Sequence, residues 1–136
     1  MKFELHQPHH HSVFTYAIDV KPSDIDELGH VNNVVYLRWV QQVASAHWES
    51  RMPVSAGGYL WVVLRHEIDY LRPALLNDKL TGLTWVIKME GVKSTRIVKF
   101  IANGYDIAQA KTVWCSLDAS TMKPKRIGDD IRDIFA

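Results

Sequence analysis

The chain has 136 residues, 47% of them hydrophobic, with a formal net charge of +1 and a single cysteine. That length is one ordinary domain, and that apolar content supports a real core and excludes wholesale disorder. The small net charge excludes a protein that grips nucleic acid through a broad basic surface, and the lone Cys115 excludes an intramolecular disulfide or a cysteine-built zinc site.

A thiol without a partner stays reduced, which leads us to expect a cytoplasmic protein. No apolar run approaches the roughly 18 residues that span a bilayer, and Met1 to His11 lacks the apolar centre of a signal peptide. This opening segment, with His6, His9, His10 and His11, reads as a flexible polar arm over residues 1–11 ahead of a single domain over 12–136. A weak metal site in its histidines is the less favoured reading.

Ser12 to Val20 alternates: Phe14, Tyr16, Ile18 and Val20 share one face, which predicts a strand. Lys21 to Gly29 follows as a loop broken by Pro22 and Gly29. From Asn32 to Arg51 the period changes. Arg38, Gln41, Gln42, Ser45 and Glu49 recur at spacings of three and four, a single polar stripe on a helix whose remaining surface carries Val35, Tyr36, Trp39, Val40, Val43, Ala44, Ala46 and Trp48. A helix apolar over that much of its circumference is mostly buried, and Asn32 or Asn33 can cap its start. Pro53, Gly57 and Gly58 predict a flexible connection.

The rest reads as strands. Leu60 to Leu71 is rich in Trp, Val, Ile and Tyr and ends at Pro73. Leu83, Trp85, Ile87 and Met89 alternate in a second strand, Glu90-Gly91 makes a turn, and Arg96, Val98, Phe100 and Ala102 share a face of a third. Asn103-Gly104 is the strongest hairpin signal, because a type I′ turn needs positive φ at both central residues. A long strand over Tyr105–Asp118 and a short helix near Asp129–Phe135 complete the chain. Tight turns make antiparallel neighbours, so the order predicts an α+β domain with an antiparallel sheet curled around one long helix. One helix covers one face only, so the uncovered surface or an open sheet edge calls for a second copy of the chain, a homodimer or homotetramer.

The usual nucleophile, phosphate and metal motifs are missing, and Cys115 sits in a strand pattern where a small core residue is expected. One dense polar segment remains, Ser23-Asp24-Ile25-Asp26-Glu27-Leu28-Gly29-His30-Val31-Asn32-Asn33. A helix start offers unpaired N–H groups that polarise a carbonyl and hold the oxyanion formed on it. A carboxylate just upstream can act as general base or nucleophile. Ordinary turn and cap chemistry accounts for the same residues equally well.

The string SDIDELGHVNNVVYLRWVQQ resembles the active-site segment of the hotdog thioesterase superfamily, in the branch of 4-hydroxybenzoyl-CoA thioesterase-like and acyl-ACP thioesterase-like enzymes. IDYLRPALLNDKL resembles that family's second strand and turn, and VWCSLDASTMKPKRI its last strand, so the similarity runs from Ser12 to Ile127. The resemblance implies the hotdog fold and hydrolysis of an acyl-CoA or related thioester. It implies that Asp26 is the catalytic carboxylate, that His30 orients a carboxylate or water, and that the backbone N–H at Asn33 polarises the carbonyl. Asp24 is expected to be a structural turn residue. The acyl-ACP pattern places an asparagine where this chain has Leu28, which shifts weight toward acyl-CoA.

Around that centre, Glu67 is a conceivable second acid, and Tyr36, Trp39, Tyr59 and Trp61 are possible walls of an acyl pocket. Lys93 and Arg96, with Lys123, Lys125 and Arg126, are the cations available for the phosphates of coenzyme A. No metal or redox cofactor is required, coenzyme A entering only as part of the substrate. The rival readings are an acyl-ACP thioesterase, a hotdog hydratase or dehydratase, and a non-catalytic acyl-CoA binder.

Overall fold

The computed structural model describes residues 13–52 and 54–135. The polar arm expected at residues 1–11 and the expected role of Pro53 lie outside the described residues. Five strands form one antiparallel sheet: β1 (Phe14–Asp19), β2 (Tyr59–Tyr70), β3 (Lys79–Glu90), β4 (Lys93–Ala102) and β5 (Tyr105–Asp118), in the spatial order β1-β3-β4-β5-β2. Helix α1 (Asn33–Ser50) lies on the inner face, and the short helix α2 (Asp129–Phe135) closes one end. This is the expected α+β hotdog arrangement.

The two tight hairpins form as their sequences dictate. Asn103 and Gly104 adopt φ 54° and 78°, the left-handed pair of a type I′ turn between β4 and β5. Gly91, at φ 63°, turns β3 into β4. The segment between β2 and β3 is not a hairpin. It carries the chain across the sheet, so that β2 pairs with β5 and β3 with β1 and β4. This leaves β1 and β2 as the two edges. Register slips at Leu64 in β2 and Ile87 in β3 each leave one residue unpaired, and such bulges bend a sheet and raise its twist.

The polar stripe of α1 faces solvent, while Val35, Tyr36, Trp39, Val40, Val43, Ala44 and His47 are buried. Of these, Val35, Tyr36, Trp39, Val40 and Val43 pack on the inward residues of the sheet, among them Leu80, Val98, Phe100 and Ala108, to form the main core. Gly82 is the point of closest approach. A Cβ there would stand 2.9 Å from Val43 Cγ2, so the missing side chain is what lets helix and sheet meet. A second cluster, Tyr59, Ile127, Ile131 and Phe135 with Trp48 and Trp61, closes the C-terminal end of α1. Residues Val54–Gly58, expected as a flexible connection, form a 3-10 turn whose Ala56 is buried. Cys115 is buried in β5, in the core role expected for it.

Candidate active site

The polar loop between β1 and α1 is organised from within by Asp24. Its carboxylate is buried, takes Arg38 Nη2 at 2.6 Å and the Lys21 N–H at 2.9 Å, and its carbonyl accepts the Asn32 N–H at 2.9 Å. Asp24 is therefore the structural turn residue the sequence led us to expect. Two further bonds fix the loop: a short bridge between Ile25 and Val31, and the Val31 N–H on the Ala74 carbonyl at 2.9 Å. Gly29, at φ 81°, makes the reversal between them.

Asp26 stands at the mouth of this turn. One carboxylate oxygen accepts the N–H groups of Leu28 at 2.9 Å and His30 at 3.4 Å, while the backbone N–H of Asp26 donates to the His30 carbonyl at 2.8 Å. Among the described residues the second carboxylate oxygen takes no hydrogen bond. One oxygen is thus anchored and the other is open to a ligand or water.

The helix begins where the loop ends. Asn32 is the N-cap: its side chain accepts the Val34 N–H at 3.0 Å and its carbonyl the Val35 N–H at 2.9 Å. The N–H of Asn33, first in the helix, finds no acceptor among the described residues. Such orphan donors carry the positive end of the helix dipole. Tyr70 Oη donates to the Asn33 carbonyl at 3.2 Å, tying this end of α1 to the end of β2. Burial raises the pKa of both Tyr70 and its neighbour Tyr36, so both phenols remain donors at neutral pH.

These groups surround one pocket of about 390 Å³, walled by Asp26, Leu28, His30, Asn33, Tyr36 and Tyr70 and rimmed by Leu71, Arg72 and Pro73. The structure therefore brings together the three expected catalytic positions, Asp26, His30 and Asn33. It does not bring Lys93 and Arg96 to them. Lys93 opens β4 at the far end of the sheet, roughly 23 Å along the strand from Phe100. Arg96 is buried on the inward face. Glu67 is exposed and paired with Arg65, away from the pocket. Of the four aromatic residues expected as pocket walls, Tyr36 serves here, Trp39 and Tyr59 are core, and Trp61 borders a separate cavity.

The sequence reading missed Tyr70 and Arg72. Both lie in the YLRP stretch at the end of β2, and that β2 residues return to the start of α1 is a property of the fold. Arg72 packs over the Tyr105 ring at 3.7 Å, which steadies its guanidinium on the rim.

A curled antiparallel sheet around one long helix is the hotdog architecture, and the relatives that share it here are thioester hydrolases. The chain belongs to the Thioesterase-like superfamily, whose family model matches residues 20–135. It is 26% identical over 124 residues to the long-chain acyl-CoA thioesterase FadM of Escherichia coli, covering 85% of this chain and 92% of that one. Among solved structures it resembles a thioesterase from Thermus thermophilus complexed with coenzyme A and zinc, at 28% identity and a TM-score of 0.80 over 91% of each chain. A predicted thioesterase from Bacillus stearothermophilus superposes with a TM-score of 0.81 at 25% identity, over 90% of this chain and 93% of that one.

Proposed function

We propose that the chain is a cytoplasmic acyl-CoA thioesterase that hydrolyses its substrate with Asp26 and the Asn33 N–H. The observation that carries this reading is the pairing, in one pocket, of a half-anchored carboxylate and an unclaimed helix-start donor. The thioester carbonyl oxygen points at the Asn33 N–H, which stabilises the negative charge that grows there during attack. The open oxygen of Asp26 takes a proton from water as the water oxygen bonds to the carbonyl carbon, or attacks that carbon itself to give a mixed anhydride that a water hydrolyses once the thiolate has left. The carbon–sulfur bond then breaks. A thiol has a pKa of about 8.5, so it leaves as thiolate with little help and is protonated by solvent or by the acid just formed on Asp26. His30, on the same wall, orients the water.

Arg72 is the cation on the pocket rim and suits a phosphate of coenzyme A. The exposed edge of β2, with Leu60, Val62 and Leu64 open to solvent, ends at this pocket. A second copy paired along that edge would deepen the pocket and complete the expected homodimer. FadM acts on long-chain acyl-CoA by its name, and an aliphatic acyl chain is accordingly the first substrate to try.

The test is thiol release from a panel of aliphatic and aromatic acyl-CoAs by the wild type and by Asp26→Asn. The amide keeps the size of the side chain but cannot accept the proton, so turnover drops by roughly 10²- to 10⁴-fold with an unchanged melting temperature. Turnover near that of the wild type in Asp26→Asn would overturn the assignment. Binding of every acyl-CoA without release from any would point to a carrier-protein substrate or a non-catalytic binder.

A further inference from the structure

The opposite end of α1 carries a feature that the thioester chemistry leaves unused. Arg96 lies on the inward face of β4 with only 7% of its surface exposed. Its Nη1 donates to His47 Nδ1 and to Thr84 Oγ1, each at 3.0 Å. His47 accepts that bond as a neutral ring, since burial and then the Arg96 and Arg51 charges push its pKa down to about 3. Burial lowers the Arg96 pKa only to about 10, so the guanidinium stays charged at neutral pH. Both its partners are uncharged, and among the described residues no carboxylate pairs with it. A guanidinium has five N–H donors, and the two contacts use one of its three nitrogens.

Beside it lies a cavity of about 70 Å³, bordered by Arg96, Ser94, Trp48, Trp61, Trp114 and Phe135. A single water needs only roughly 10–15 Å³. A second polar group on this wall is also unmatched: the buried Trp61 Nε1 finds no acceptor among the described residues. A buried charge without a counter-ion is costly, and so is an orphan donor. Both deficits are of the same kind. Apart from the hydroxyls of Ser45 and Ser94 the wall offers no side-chain oxygen and no negative charge, while the remainder is apolar and largely aromatic.

We propose that this cavity is a second binding site, separate from the Asp26 pocket, for a small carboxylate with a planar apolar body. The carboxylate meets the free N–H groups of Arg96, which match its two oxygens, and one oxygen reaches the Trp61 indole N–H. The body lies among Trp48, Trp114 and Phe135. One cation in an aromatic wall suits a monoanion better than a doubly charged, strongly hydrated phosphate. The cavity borders Ala44 and Trp48 of α1, which places it roughly 17 Å along the helix from Asn33.

The experiment titrates the full chain with benzoate, and with benzamide as its neutral counterpart, by calorimetry and by tryptophan fluorescence, since Trp48, Trp61 and Trp114 border the cavity. Benzoate is expected to bind saturably and to change the emission, with benzamide at least about tenfold weaker. Arg96→Met is expected to weaken benzoate by at least about tenfold, a free-energy change of about 1.4 kcal/mol or more. That variant should fold, because an apolar residue of similar volume in place of a buried charge is often neutral or stabilising. Should it not fold, Trp61→Phe, with a severalfold loss of benzoate affinity, gives the same decision. The proposal is overturned by equal binding of benzamide, by the absence of benzoate binding at tens of millimolar, or by affinity that survives both substitutions, which would place the ligand in the Asp26 pocket instead.

Discussion

Gly82→Ala tests whether the contact between α1 and the sheet is as tight as the geometry implies. The added Cβ would lie 2.9 Å from Val43 Cγ2, 3.4 Å from the Tyr16 carbonyl oxygen and 3.5 Å from Phe100 Cε1. Carbon pairs prefer about 3.5–4.0 Å, so the first contact is short by more than half an ångström and must be relieved. Val43 cannot swing away. It is fully buried, and a β-branched residue in a helix has one strongly preferred χ1 rotamer. The helix itself must shift, and overpacking of this kind costs about 1–3 kcal/mol. Removing a glycine from the unfolded chain returns about 0.4–1 kcal/mol, which leaves a net loss of about 1–2 kcal/mol and a melting temperature lower by roughly 3–8 °C. Urea denaturation and thermal melts of Gly82→Ala, Val43→Ala and the double variant measure this. The double variant should recover stability relative to the sum of the two single changes, by about 0.5–2 kcal/mol of coupling. A Gly82→Ala protein that melts at or above the wild-type temperature, or a strictly additive double variant, refutes the reasoning.

Asp24→Ala removes the buried carboxylate that holds Lys21 and Arg38. Because Arg38 is half exposed and keeps its hydration, the loss is set mainly by the Lys21 N–H and the void, about 2–4 kcal/mol. Thiol release should fall as well, since the same loop carries Asp26. His47 stays neutral in the fold with its pKa near 3 but titrates near 6.5 once unfolded. As pH falls below about 6.5 the unfolded chain gains a proton the native chain refuses, so stability drops by about 1.4 kcal/mol per pH unit until about pH 3. His47→Gln, which keeps an acceptor for Arg96, should lower the slope of stability between pH 6 and 4 by one proton; an unchanged slope would show that His47 is charged in the fold. Leu64→Glu, on the exposed edge of β2, should convert the proposed homodimer into monomers on light-scattering chromatography, and a dimer that persists would place the interface elsewhere.

Much of the molecule was written in local pattern. The four-residue and three-residue spacing of Arg38, Gln41, Gln42, Ser45 and Glu49 marks the solvent face of α1, and those residues are exposed. Asn103-Gly104 specifies its turn through backbone sterics alone, and Tyr105–Asp118 and Asp129–Phe135 carry their elements in their own alternation and periodicity. The site loop was legible for the same reason. Asp26, His30 and Asn33 lie within eight consecutive positions, so the short chain between them confines them to one region.

What the sequence left open involves partners distant along the chain. That β2 pairs with β5, and so delivers Tyr70 and Arg72 to the start of α1, depends on which sheet edge the chain crosses to after Leu71, and no local pattern encodes that choice. Arg96 makes the point most sharply. Its alternation with Val98 and Phe100 put it on the inward face, while its charge alone suggested a surface contact for a phosphate. Only the packed fold, with α1 laid over β4 and His47 and Thr84 brought to its guanidinium, decides that this charge is buried. Periodicity assigns a residue to a face, but burial is set by what other elements place over that face.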